Sequence, residues 1–268
     1  MGIELNDESR QHEEDLERIA NFRLMDDDYM TAFFNKYPEG AQLMLRIIMN
    51  KPNLTVKDVK TQNVLKNLHG RSITLDVDAN DVDGTEYDVE IQRSDAGANP
   101  KRARFHGGLK DMDVLNPGDD FSNLPETYII FITENDVLGE NKPLYVIDRY
   151  INGTDRPFDD GLHIIYVNGE IQDETDLGWL MHDFRCTKSA DMHFKELRER
   201  AHYFKETEEG VKAMCKAIED MRNDAIKADR KRIVLELLKD NVLTHEQIAK
   251  YIGLSLDDVK ELAGEKSA

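Results

Sequence analysis

Leu75 to Arg93 reads LDVDANDVDGTEYDVEIQR, two short alternating runs joined by Asp81-Val82-Asp83-Gly84-Thr85. The fold depends on how that turn closes. Asp is disfavoured in strands, so the density of carboxylates needs a reason. A two-residue loop at Asp83-Gly84 pairs Val82 with Thr85. It puts Leu75, Val77 and Ala79 on the opposite face from Tyr87, Val89 and Ile91, a split that a sheet packed on one side cannot tolerate. A three-residue loop, Val82-Asp83-Gly84, pairs Asp81 with Thr85. Its third residue is left-handed, which Gly84 supplies at little steric cost. All six apolar residues then share one face, so the pattern selects this register.

The same register sets Asp76 directly across from Glu90, and Thr74 across from Gln92. Opposed Cβ atoms lie roughly 4.5–5.5 Å apart. Like charges at that separation repel unless a cation or a shared proton intervenes. Carboxylates so placed suit a hard divalent ion, with a backbone carbonyl and waters completing its shell. The other reading is an acidic face that meets only water, and Asp78, Asp81, Glu86 and Asp88 are expected to be solvated. A calcium loop is rejected. DVDANDVDGTEY opens like an EF-hand, but Asp81 stands where Gly is required and Tyr87 where Glu is required.

Outward from the hairpin, DDDYMTAFFNKYPEGAQLMLRIIMN reads as two helices broken at Pro38-Glu39-Gly40. LTVKDVKTQNVLKN has a mixed pattern taken as a strand. NPKRARFHGGLKDMDVL reads as a helix from Pro100 that carries a Gly pair. ETYIIFITEND, PLYVIDRYI and GLHIIYVNGE read as strands, the last with a turn at Asn168-Gly169. From about Ser189 to the end the pattern is helical. Thr244 with Gln247 forms a capping box, Gly253 fits a helix stop and Ser255 the next N-cap. The sum is a mixed α/β domain over 21–240, preceded by an acidic segment of marginal order over 1–20 and followed by a small helical tail over 241–268.

The chain has 268 residues and a formal net charge of −19. That charge argues against a broadly basic nucleic-acid surface, though not against a local basic groove. No apolar run reaches membrane-spanning length, and the acidic opening is not expected to be a signal peptide. Cys186 and Cys215 lie far apart without metal spacing, which suits reduced thiols in a cytoplasmic protein.

An Asp on one strand, a turn, then Glu-x-Gln or Glu-x-Lys on the next resembles the signature of the PD-(D/E)XK nucleases. Four segments, MDDDYMTAFFNKYPEGAQLMLRIIM, LKNLHGRSITLDVDANDVDGTEYDVEIQRSD, KRARFHGGLKD and LPETYIIFITENDVLGENKPLYVIDR, look like segments found in the same order in the PD-(D/E)XK nuclease family transposases of the recombination-promoting nuclease type. The resemblance runs over about residues 25 to 240. It implies a restriction-endonuclease-like fold, a mixed sheet flanked by helices, that cleaves double-stranded DNA with Mg²⁺ or, in its place, Mn²⁺. Asp76 and Glu90 match the metal-binding acids, and the Ile91 carbonyl would complete the inner shell. Gln92 matches a position that is Lys in many relatives. Asp28 matches an acid that some members add. Arg102 matches a basic position in the helix after the hairpin, and His106 stands where relatives often have Tyr.

Arg102, His106 and Lys110 recur at i, i+4 and i+8, one face of a helix. With Arg93 and Arg71 beside the hairpin, they could meet DNA phosphates or form a solvated stripe. Gln92 can orient a water but cannot take a proton. The tail has the outline of a helix-turn-helix. Asp257, Asp258 and Glu261 on its second helix suit a packing element or a homodimer contact better than a major-groove reader. Two functions stay open: a Mg²⁺-dependent endonuclease of mobile-element type, and a catalytically inactive nuclease-fold protein that binds other proteins. The −19 charge favours the second. Asp76, Glu90 and Gln92 together favour the first.

Overall fold

The hairpin closes with the three-residue loop. Asp81 N–H donates to the Thr85 carbonyl at 3.1 Å, and Gly84 takes a φ of +89°. The Asp81 carboxylate accepts the N–H groups of Asp83 and Thr85 and the Tyr87 hydroxyl. It pins the turn that sets the register. In the computed structural model, which describes residues 7–67, 71–240 and 242–264, Val77 pairs with Val89, Asp78 with Asp88, Ala79 with Tyr87 and Asn80 with Glu86. Leu75, Val77, Ala79, Tyr87, Val89 and Ile91 are all buried. The expectations for residues 1–6 and 265–268 lie outside the described residues.

The hairpin strands β2 (Ile73–Asp81) and β3 (Glu86–Gln92) belong to a six-stranded sheet of order β1-β2-β3-β4-β6-β5. The others are β1 (Val56–Leu65), β4 (Thr127–Thr133), β5 (Leu144–Ile147) and β6 (Leu162–Asn168). β1, β2 and β3 pair antiparallel, β3, β4 and β6 parallel, and β5 antiparallel on β6. β4 is a continuous apolar run because it is covered on both faces. Its Ile129, Ile130, Phe131 and Ile132 are fully buried. The β3-to-β4 crossover is the helix α4 (Pro100–Val114), started by Asn99, whose side chain caps Lys101 N–H, with Pro100 at the first helical position.

Ahead of the sheet come α1 (Asp7–Asn21), α2 (Asp27–Phe34) and α3 (Pro38–Ile48). Ile19 of α1 is buried, so the described part of the opening segment, expected to be marginal, is a docked helix. The break between α2 and α3 falls at 35–37. Pro38, Glu39 and Gly40 form the first turn of α3, where proline's missing N–H costs nothing. α5 (Asp176–Arg185), α6 (Lys195–Glu206) and the 33-residue α7 (Glu208–Asp240) follow β6. The onset of helix at Ser189 is therefore corrected to Asp176, where Thr175 caps α5 through Gly178 N–H.

The chain divides into two compact units, 1–215 and 216–268, the division falling within α7 rather than after residue 240. In the second unit α8 (His245–Ile252) and α9 (Leu256–Leu262) each begin with a complete capping box, and Gly253 takes a φ of +73°. Val234, Ile248, Ala249 and Val259 form its core. Among the described residues no helix is long and apolar enough to cross a membrane.

Candidate active site

Asp76 sits where both of its ladders break. On one side the pairing with β1 passes from Thr61–Val77 to Asn63–Leu75, skipping Gln62, which has a left-handed φ of 54°. On the other side the β2–β3 ladder ends at Val77–Val89. One step further in the same register Asp76 meets Glu90, as expected, and their carboxylates replace the missing backbone partners. Asp76 N–H donates to Glu90 Oε1 at 3.1 Å, and Ile91 N–H donates to Asp76 Oδ2 at 3.0 Å. A strand residue points its N–H and C=O to the same side, so the Ile91 carbonyl turns toward β2. The Gln92 carbonyl turns the other way, to Glu134 N–H of the chain after β4.

The acidic face is not solvated. Asp88 and Glu90 are 0% exposed, and α4 covers them. Arg102 Nη2 lies 2.5 Å from Glu90 Oε2, His106 Nδ1 2.8 Å from Asp88, and Lys110 Nζ 2.7 Å from Glu86 and 2.6 Å from Asp78. The spacing explains the match. Four helical residues rise about 6.0 Å and two strand residues about 6.6 Å. A basic residue every fourth position on α4 therefore meets an acid every second position on β3, the two running in opposite directions. Two sequence expectations are corrected here. Asp78, Asp81, Glu86 and Asp88 each have protein partners, with Asp78 and Glu86 still partly exposed. Of the stripe read as a DNA-facing or solvated surface, His106 and Lys110 turn inward, 1% and 3% exposed, while Arg102 stays on the cleft wall.

The electrostatics follow from burial. Burial first, then the charge of Glu90, pushes the Asp76 carboxyl well above the usual range. Burial first, then Asp88, does the same to Glu90. Asp88 is pushed up to about 8 by burial, with Lys110 opposing, and its Oδ1 has no partner. Burial pushes the His106 imidazole down, toward its neutral form, with Glu90 opposing. Arg102 Nε–H donates to His106 Nε2 at 3.2 Å, which leaves the His106 proton on Nδ1, facing Asp88. For Lys110, burial works against the charge, but Asp78 and Glu86 outweigh it and raise the amine.

Asp76, Ile91, Gln92, Arg93, Arg102 and His106 line one cleft of about 1570 Å³. Its described lining carries six basic side chains, Arg18, Arg71, Arg93, Lys101, Arg102 and Arg104, against four acids, Asp26, Asp27, Asp28 and Asp76. The cleft is basic on an acidic chain. Arg93 bridges Asp26 and Glu134 at 2.7 and 3.2 Å. Asp28 lines the cleft with its carboxylate on Arg18. The acid of α2 that acts on Asp76 is its neighbour Asp27, whose own carboxyl is raised by partial burial and then by Asp28. The helix period marks it. Asp27 stands three and seven residues before the buried Met30 and Phe34, whereas Asp28 lies a residue off that line.

This donor set fits a hard divalent cation. Asp76 and Glu90 are buried side by side, a backbone carbonyl turns toward them, Asp88, Glu90 and His106 come within ligand range of one another, and Asp88 leaves a buried oxygen unmatched. His182, Asp183 and Cys186 on α5 also come within ligand range of one another. Asp183, however, spends its carboxylate on the His193 and Phe194 N–H groups ahead of α6, and burial pushes the Cys186 thiol up to about 11. That cluster is structural.

The family model described as PD-(D/E)XK nuclease family transposase matches residues 42–231. No curated protein and no solved structure matches the chain.

Proposed function

This chain belongs to the PD-(D/E)XK nuclease family transposases, with the mixed sheet and flanking helices of that α/β fold, and from that premise we propose that it is a divalent-metal-dependent DNA endonuclease of mobile-element type. The observation that carries the proposal is the buried Asp76–Glu90 pair at the break in the sheet, of which Asp76 lines a locally basic cleft and Glu90 lies directly behind it. Asp76, Glu90 and the Ile91 carbonyl would hold the metal, with Asp27 or Asp28 at its edge. When bound, Mg²⁺, or Mn²⁺ in its place, supplies charge neutralisation on the phosphoryl group and a water of lowered pKa.

The chain's own groups do the rest. Gln92 presents an amide that orients a water but neither takes its proton nor adds charge. Arg102, Arg93 and the cleft's remaining cations position the DNA backbone. His106, locked as a neutral tautomer between Arg102 and Asp88, holds the guanidinium in place. Lys110 holds α4 on the hairpin and does not reach the cleft. The test is nicking of supercoiled plasmid in Mg²⁺ or Mn²⁺ against EDTA. Cleavage that vanishes in EDTA and in Asp76→Ala and Glu90→Ala supports the assignment. A wild-type protein inert in both metals favours the second reading, an inactive nuclease-fold interaction protein, to which the net charge of −19 points.

A further inference from the structure

Arg102 makes more contacts with the site than a phosphate-binding arginine needs. Its guanidinium holds Glu90 Oε2 at 2.5 Å, the Gly97 carbonyl at 3.1 Å and Gln92 Oε1 at 3.3 Å, while its Nε donates to His106 Nε2 at 3.2 Å. Each of these partners is an acceptor, and they converge on the one cation much as ligands do on an ion. The space is shaped for it. A Cβ on Gly97 would fall 1.9 Å from Gln92 Oε1, so a larger residue there would push the Gln92 amide away from the guanidinium. Glu90 Oε1 is already committed to Asp76 N–H. Oε2 has no backbone partner, which leaves it the more open oxygen for a metal, and Arg102 is on it.

We infer that Arg102 is the resident counter-cation of the metal-free site, occupying the Glu90 oxygen that a divalent ion must take. Metal entry is then an exchange: Arg102 leaves Glu90, and its guanidinium, on the cleft wall, becomes available to a DNA phosphate. The physical reason is charge. Glu90 is fully buried beside Asp76 and Asp88, and a buried carboxylate without a counter-cation is costly. A guanidinium and a divalent ion on the same oxygen would repel each other. This inference rests on the metal-site reading above, and the experiment separates the two.

The test is Mn²⁺ binding to the full chain without DNA, followed through the paramagnetic signal of the free ion. Wild type is compared with Arg102→Gln, Arg102→Lys and Asp76→Asn. Removing one partly screened charge from the site is expected to tighten Mn²⁺ binding about tenfold in Arg102→Gln. Arg102→Lys keeps the charge but loses the planar fork. It falls between the two, and stands in if the Gln variant does not fold. Duplex DNA binding gives the second readout. Arg102→Gln weakens it in Ca²⁺ and leaves it unchanged in EDTA, where Arg102 is held by Glu90. Mn²⁺ binding that needs Asp76 but is equal or weaker in the Arg102 variants overturns the exchange and makes Arg102 a brace for Glu90. An equal loss of DNA affinity in Ca²⁺ and EDTA overturns it as well. Absence of Asp76-dependent Mn²⁺ binding in every form removes the metal site itself, and the exchange with it.

Discussion

At the residue scale, the site holds three carboxyls that folding pushes up. Asp76 and Glu90 are raised by burial and by neighbouring acids, and Asp88 to about 8 mainly by burial. A carboxyl whose folded value lies above its unfolded value of about 4 binds protons more tightly in the folded state. Its contribution is complete below the unfolded value and is lost as pH rises through the folded one. The metal-free protein is therefore expected to lose thermal stability as pH rises from about 4 to about 8. Melting in EDTA across that range measures it, and a melting temperature that rises with pH contradicts the burial argument. Asp88→Asn should flatten the slope, and Mg²⁺ should restore stability at the alkaline end by replacing the lost protons. The facing of Asp76 and Glu90 was legible in the sequence because a period of two allows only one register that keeps the apolar residues together. Asp27, which lies on the line of Met30 and Phe34, was not read from the sequence, where Asp28 was named instead, because a run of three acids conceals the helix face. Asp27→Ala should therefore lower cleavage more than Asp28→Ala, in a side-by-side plasmid assay at saturating Mg²⁺.

At the scale of the element, α4 shows why part of the site could not be read. A basic residue at i, i+4 and i+8 has the same sequence signature whether it faces water, DNA or a buried strand. What decides is the acidic period on β3, and nothing in the sequence of α4 points to it. α5 escaped for a different reason. It is ten residues long, and its buried face of Leu180, Met181 and Phe184 is shared with Asp183, which breaks the apolar stripe. The strands β4 and β6 were plain because central parallel strands are apolar without interruption. The inward reading of α4 makes a stability prediction. Lys110→Met should cost about 3–5 kcal/mol, the range for removing one partner of a buried charge pair, because Asp78 and Glu86 lose their only shared cation among the described residues. Gly108, by contrast, has nothing within 4 Å of an added Cβ and no positive φ. Gly108→Ala should stabilise the chain by roughly 0.5–1 kcal/mol through helix propensity. Urea unfolding of both variants checks the pair, and a Lys110→Met protein as stable as wild type would return Lys110 to the surface role.

At the scale of the whole molecule, the nuclease reading asks a chain of net charge −19 to hold DNA, and the ion pairs determine how well it could. Of the six cations on the cleft wall, Arg18 is paired with Asp28, Arg93 with Asp26 and Glu134, and Arg102 with Glu90. Arg71, Lys101 and Arg104 are in no ion pair among the described residues. A pre-paired cation releases few counterions when it meets a phosphate, so about three groups set the salt dependence. Each neutralised duplex phosphate contributes about −0.9 to the slope of log K against log salt. The slope for duplex binding to catalytically silent Asp76→Asn in EDTA is therefore expected to be about −3, shallow for a nuclease-sized contact. The background repulsion of the acidic chain makes the affinity itself weak at low salt. Arg104→Ala should remove about one unit of slope, and Arg93→Ala, whose cation is already shared by two carboxylates, much less. Fluorescence anisotropy of a labelled duplex over a salt titration reads both. A slope near zero, or one insensitive to Arg104, would mean that DNA does not lie in this cleft.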